Sequence, residues 1–383
     1  MGVCNTPLRS AKIYVYLRKL RKFPFFSVVL HLKNQQNMKK KYLLGASLWR
    51  SLCISVLLIF TLNSCMDEPV TFPDTPEGNF DALWHIIDTR YCYLYYKNIN
   101  WDSIRVVYQR GLPYVKHCRF ALFDHFGAML NELRDGHVNL FSNFDVSRYE
   151  GWFTDSATNF FPAIIRDHYI EGNFRIAGGL RFARLRDHNI GYIQYSSFAS
   201  GFSDSNIWHI MYYFSDLDGI IIDVRHNGGG MVTNAERLAS FFFTETTVTG
   251  FMKFRNGPGH NDFSQPVAVR TPAHPTIQWQ RPVAVLTNRL SYSATNDFVV
   301  RMRHAPNAFT VGSWTGGGGG MPLSSELPNG WMVRFSASPM LDSEMRHTEW
   351  GIAPDFHVII SDEDRENNID AVIERAILEM ARR

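Results

Sequence analysis

The 383-residue chain carries a formal charge of +3, but residues 1–64 hold 11 Lys or Arg and no Asp or Glu, leaving 28 basic against 36 acidic residues from Cys65 onward. A nucleic-acid-binding surface normally shows as a basic excess, so nucleic acid is excluded as the expected partner of that acidic remainder. With 45% hydrophobic and 14% aromatic residues, the same remainder can bury the core of one large or two modest domains.

The basic front segment reads as targeting. Met38-Lys-Lys-Lys41 gives a charged start, Ser51–Ser64 a short and mostly apolar run, and Leu62-Asn-Ser-Cys65 its close. The 14 residues between Arg50 and Cys65 fall short of the roughly 20 that span a bilayer, which favours a cleaved signal over a permanent transmembrane helix. The expectation is a lipoprotein signal peptide with Cys65 lipidated and the mature protein held at a bacterial envelope membrane. An ordinary secretory signal, with Cys65 there by chance, is the plainer alternative. Residues 1–37 fit neither pattern, and translation starting at Met38 is expected. Beyond Cys65 only Cys92 and Cys118 remain, too few for a disulfide framework. No clustered Cys/His pattern suggests a metal site, and no metal or organic cofactor is expected.

After a polar tether over 65–78, apolar residues recur at helical spacing in Phe80–Tyr96, Ile104–Leu112 and Phe120–Leu133, so residues 79–137 read as a helical cap. Two Gly-rich turns, Glu171-Gly-Asn and Ala177-Gly-Gly, mark 138–189 as a small β insertion. From 190 to 383 the pattern alternates: strand Gly191–Tyr195, helix Ser203–Phe214, strand Gly219–Val224, helix Val232–Phe243, strand Pro282–Leu286, helix Ser293–Arg303 and a strand at Phe309-Thr-Val. A hairpin around Pro328-Asn-Gly330 and a final helix over Asn368–Ala381 follow. Such βαβα alternation defines an α/β core.

Four pieces carry candidate chemistry. Ser293 ends a small-residue turn at a helix start, where backbone N–H groups and the helix dipole favour negative charge. For a lone serine there, N-capping is the plain reading. Asp223-Val-Arg-His-Asn-Gly-Gly-Gly230 places glycines after an apolar strand, where backbone N–H groups can approach a ligand; alone it is a strand-to-helix turn. It lacks the Gly-Lys-Ser/Thr ending of a phosphate loop, as does the glycine run of Thr315–Gly320. His137, in Asp135-Gly-His137, and Glu349, in Glu349-Trp-Gly-Ile-Ala-Pro-Asp355, complete the set. Singly, a satisfied histidine and a solvated loop acid are the ordinary readings.

Together these pieces resemble the C-terminal processing and tricorn-type serine peptidases over about residues 79–383, through Asp223–Gly230, Ser291-Tyr-Ser293-Ala-Thr, Gly351-Ile-Ala-Pro-Asp355 and Asp135-Gly-His137. The resemblance implies a crotonase-like α/β fold with ββα units, the ClpP/crotonase class. It implies Ser293 as nucleophile, His137 as general base and Glu349 as the acid of a tricorn-type tetrad. It also implies an oxyanion hole from the Ala294 N–H and that of Gly228 or Gly229. The substrate implied is a peptide or protein.

Departures select the branch. The processing peptidases use a Ser/Lys dyad, but the chain has no lysine after Lys253, which leaves the Ser/His version. The tricorn-type tetrad has a serine before its histidine where this chain has Gly136, so polar support for His137 must come from elsewhere. Thr295-Asn296 replaces the serine and glutamate often found after the nucleophile. The gap of about 50 residues at Val138–Asn189 is too short for the PDZ domain many members carry. The same module also occurs in retinoid-carrying proteins, so the alternative is an inactive member that binds an apolar ligand or peptide. A closed apolar pocket over Ser293 would mark that alternative.

Overall fold

The computed structural model describes residues 70–154 and 156–383; the signal segment, Met38 and Cys65 lie outside the described residues. Three helices come first: α1 (Pro76–Arg90), α2 (Trp101–Val115) and α3 (Arg119–Asn131). Thr75 starts α1 by accepting the Gly78 N–H, and Asn100 does the same for α2 through the Ser103 N–H, each satisfying one orphan donor of a first turn.

The main sheet is built from β3 (Arg175–Ala177), β4 (Leu180–Arg184), β5 (Ile190–Tyr195), β6 (Gly219–Asp223), β9 (Val283–Thr287), β10 (Ala308–Gly312) and β13 (Phe356–His357). Its order is β13-β10-β9-β6-β5-β4-β3, parallel from β13 to β5 and antiparallel at β4 and β3. Side chains alternate faces along a strand, and the central strands are apolar on both. Ile220, Ile222, Val283 and Val285 pack into the layer of helices α4 (Asp204–Tyr213), α5 (Val232–Ser240) and α6 (Ala294–Met302). Ile221, Ala284 and Leu286 face the opposite layer, where Val372, Ile373 and Ala376 of the C-terminal helix Ala371–Met380 pack with Ile165 and Ile170. This two-sided burial is why β6 and β9 read as unbroken apolar runs rather than alternating ones.

A second, antiparallel sheet joins β1 (Asn139–Phe141), β2 (Val146–Arg148), β7 (Thr247–Met252), β8 (Val267–Thr271), β11 (Gly320–Glu326) and β12 (Met332–Asp342) in the order β2-β1-β12-β7-β8, with β11 on β12. The hairpin expected around Pro328-Asn-Gly330 is the β11–β12 turn, with Gly330 at φ +83°. The three N-terminal helices bury Leu83, Phe123, Phe126 and Leu130 against Trp331, Val333 and Phe335 of this sheet.

That arrangement corrects the domain boundaries read from sequence. Residues 138–189 are not a discrete β insertion: β1 pairs with β12, nearly 200 residues on, and carries β2 on its other edge, while β3–β4 extend the main sheet. The helical cap therefore packs on a sheet whose strands come mostly from residues 247–342. Local alternation could not reveal this, because strand partners far apart in sequence are chosen by tertiary packing.

Candidate active site

Ser293 follows β9 and stands at the foot of α6 with φ +59° and ψ −119°, and its side chain does not cap the helix. That removes the N-cap reading. A non-glycine residue in this region costs on the order of 1–3 kcal/mol and persists only where its surroundings fix it. Here the Ser293 N–H donates to the Gly317 carbonyl, and Tyr292 bridges Gly317 in parallel register. The Tyr292 N–H donates to Asn227 of the other glycine loop. The turn is thus held from two sides.

The hydroxyl thereby presented meets His137: Nε2 lies 2.8 Å from Ser293 Oγ. His137 is 3% exposed and follows the end of the cap. Its backbone N–H donates to Asp135 Oδ1, and Asp135 Oδ2 accepts from Tyr91 Oη and Ser336 Oγ. Nδ1 is buried without a hydrogen-bond partner, although the Gly320 backbone favours the protonated ring. Burial pushes the imidazole down to about 4; Asp135 opposes this, while Arg334 and Lys97 add to it. The ring is therefore neutral at pH 7, the state that can accept a hydroxyl proton.

Glu349 lies in the same region but not where a tetrad acid was expected. Its Oε1 accepts Lys97 Nζ at 2.7 Å and its Oε2 accepts the Gly319 N–H at 3.1 Å. Among the described residues, none of its hydrogen bonds reaches His137. Its influence on the site runs through the glycine run beneath Ser293. Burial and the neighbouring Asp135 push Glu349 up to about 8, against the pull of Lys97.

Lys97 was missed at the sequence level. It is the buried hub of the cap–core contact, bonded to the Leu133 and Arg134 carbonyls as well as Glu349, and 3.7 Å from Asp135. Burial would lower its ammonium, but the two carboxylates outweigh that and raise it. Burial would likewise raise Asp135, which Lys97 and His137 hold below the ordinary carboxylate range. No sequence signal singles out Lys97; it lies in a tyrosine-rich stretch after α1, more than 190 residues before Ser293. Asp135 was visible, but only as a turn residue beside the histidine.

Gly136 explains the missing tetrad serine. A Cβ there would sit 2.6 Å from Trp152 Nε1 and 2.8 Å from Tyr292 Oη, so the support for His137 comes from Asp135 instead.

The oxyanion donors divide. The Gly229 N–H is already given to Asn227 Oδ1 at 3.0 Å, which corrects its inclusion among the free donors. Gly229 instead allows close approach: at φ +98°, an added Cβ would meet Tyr292 O at 2.6 Å and Ser293 Cβ at 2.8 Å. Among the described residues, the Gly228 and Ala294 N–H groups have no backbone or side-chain acceptor. The glycine loop is anchored by Arg225, fully buried between Asp223 and Asp370.

Around these groups opens a cleft of about 680 Å³ lined by His137, Ser293, Gly228, Trp152 and Tyr292 together with Arg148, Glu150 and Arg334. Open and charged, it is not the closed apolar pocket that an apolar-ligand carrier requires.

Comparison with known proteins agrees with this architecture. The family model "Peptidase family S41" matches residues 189–358, and "Tricorn protease C1 domain" matches residues 72–131. A candidate peptidase from Parabacteroides merdae, known from its crystal structure, is 46% identical with a TM-score of 0.76, over 80% of this chain and 97% of that one. The tail-specific protease of Haemophilus influenzae is 27% identical over 39% of this chain, and the carboxy-terminal processing protease CtpA of Bacillus subtilis 24% over 50%. The chain spans 21% and 39% of the length of those two relatives. The protein belongs to peptidase family S41, a family of serine peptidases.

Proposed function

We propose that the protein is a serine peptidase in which Ser293 and His137 form the reacting pair. The observation that carries this reading is the 2.8 Å contact between His137 Nε2 and a Ser293 Oγ held at positive φ without a capping role. In the reaction, Ser293 Oγ attacks the peptide carbonyl carbon while its proton passes to Nε2. The oxyanion accepts hydrogen bonds from the Ala294 and Gly228 N–H groups. As the tetrahedral intermediate collapses, His137 returns the proton to the leaving amine, and a water activated by the same ring then hydrolyses the acyl-enzyme. Asp135 offsets the charge of the imidazolium. Glu349 and Lys97 are positioning residues that fix the glycine run and the histidine segment against one another. A crotonase-like ββα core is the fold reading consistent with the β5-α4-β6 and β9-α6-β10 connections.

We further propose export and lipid attachment through Cys65. Among the described residues, no helix is long and apolar enough to cross a membrane. Cys65→Ser would then release the protein from the membrane fraction and abolish incorporation of labelled palmitate.

A fluorophosphonate probe tests the catalytic reading. An adduct on Ser293, lost in His137→Ala, is expected; intact protein that stays unlabelled under conditions labelling a known serine hydrolase overturns it.

A further inference from the structure

The cleft beside Ser293 carries a charge arrangement that the reacting pair does not use. In the second sheet Asn139 of β1 lies opposite Arg148 of β2 on one side and opposite Arg334 of β12 on the other. Residues directly opposite in adjacent antiparallel strands project to the same face, and all three line the cleft. Two arginines thus flank one asparagine across three strands on the wall of the site. Their surroundings do not neutralise them. Among the described residues the Arg334 side chain has neither a hydrogen bond nor an ion pair, though the residue is partly buried. Arg148 has only a loose, exposed contact with Glu150 at 3.9 Å, the kind of surface pair that contributes little. Elsewhere among the described residues, partly or fully buried arginines are paired or bonded to carbonyls: Arg225 and Arg301 have carboxylate partners, and Arg289 bonds three carbonyls. Arg334 thus presents, from the third residue of β12, a guanidinium with no carboxylate or carbonyl partner among the described residues.

We propose that Arg334, assisted by Arg148, forms a subsite that binds a carboxylate of the peptide substrate. The planar guanidinium matches a carboxylate in bidentate geometry, which gives direction as well as attraction. The carboxylate can be the chain terminus or an acidic side chain, and the two are chemically alike at this wall. Occupancy has a second consequence. The charges facing His137 are Asp135, which favours the imidazolium, and Arg334 and Lys97, which disfavour it. A carboxylate on Arg334 offsets part of that opposing field, so a bound acidic substrate makes the base stronger. The subsite rests on the reading of this cleft as the peptide-binding site, and the test keeps binding apart from cleavage.

Ser293→Ala protein is immobilised and exposed to N-acetylated random decapeptide pools, one with free C-terminal acids and one amidated, each sequenced after retention. About tenfold enrichment is expected either for the free-acid pool over the amide or for Asp and Glu over Asn and Gln at one position in the amidated pool. The first outcome assigns the terminus and the second the side chain. The double variant Ser293→Ala/Arg334→Gln should lose that enrichment, and Ser293→Ala/Arg334→Lys should keep part of it, the charge being present without the fork. Retention with no carboxylate preference, preference unchanged by Arg334→Gln in protein of unaltered melting temperature, or no retention at all overturns the subsite. Enrichment lost with Arg334→Gln, in a protein whose Ser293 takes no fluorophosphonate, would leave the subsite standing and remove the peptidase reading.

Discussion

Lys97 Nζ and Glu349 Oε1 lie 2.7 Å apart, both side chains about 3% exposed, although 252 residues separate them in the chain. Through this contact and the Leu133 and Arg134 carbonyls, one ammonium ties the segment carrying His137 to the loop that supports Ser293. Lys97→Met removes the cation and leaves Asp135 and Glu349 buried together. A loss of about 3–5 kcal/mol in unfolding free energy is expected from urea titration at pH 7, since Asp135, which Lys97 holds below the ordinary carboxylate range, is left as a buried charge without its cation. Lys97→Arg should recover less than half of that loss, because the larger fork does not fit the pocket between Tyr91, Tyr93 and Trp350. Equal stability of wild type and Lys97→Met would show the hub to be dispensable.

Ser293→Gly and Ser293→Ala both remove the hydroxyl and both should abolish fluorophosphonate labelling. They differ by the Cβ methyl, which restricts the backbone at this φ. Glycine accepts φ +59° without the penalty alanine retains, so the glycine variant should be about 1–2 kcal/mol the more stable. Differential scanning calorimetry of the pair checks this, and equal melting temperatures would mean that the turn stores no strain.

The two glycines beneath the turn should respond oppositely. Gly229→Ala forces a methyl into Tyr292 and Ser293 at positive φ, whereas a Cβ at Gly228 meets nothing within 4 Å. Gly229→Ala should cost at least about 2 kcal/mol in stability, and Gly228→Ala less than about 0.5 kcal/mol. Thermal melts of the two proteins read the contrast directly.

Two buried groups give stability a pH signature of opposite signs. Glu349 rises from an ordinary value near 4.5 to about 8 on folding, so the folded state holds its proton more tightly. Its contribution is present below pH 4.5 and is lost as pH rises through 8. His137 falls from 6.5 to about 4; its contribution is present above pH 6.5 and is lost as pH falls through 4. Urea midpoints should therefore drop between pH 6.5 and 8, and Glu349→Gln should flatten that limb while leaving the acid limb in place. On the acid side, the rate of fluorophosphonate labelling should fall with a midpoint near 4, as His137 takes up its proton.

Much of this was legible in the chain. The apolar runs at Gly219–Val224 and Pro282–Leu286 are strands β6 and β9, and the turn at Ser293 lies directly after the second, because strand and turn are set by neighbouring residues. The pairing of Ser293 with His137 followed from motif resemblance, and the side chains do meet. Where Glu349 points was not legible. A carboxylate in a loop has several partners within reach, and Lys97, which takes it, has no local pattern that distinguishes it from any other lysine. The sharing of residues 138–189 between two sheets was hidden for a similar reason: a short strand such as Asn139–Phe141 carries no mark of its partner.

The sequence by itself determined the α/β alternation, the small-residue serine turn between a strand and a helix, and the chemical types gathered for the site. Those properties reside in residues close together along the chain, where periodicity and turn chemistry act. Tertiary structure alone decided that the base leans on Asp135 rather than on Glu349, that Gly229 spends its N–H on Asn227, and that Arg148 and Arg334 share one wall of the cleft. Each depends on which distant groups burial brings together, and inside the protein a charge or donor is assigned to the partner that packing places against it.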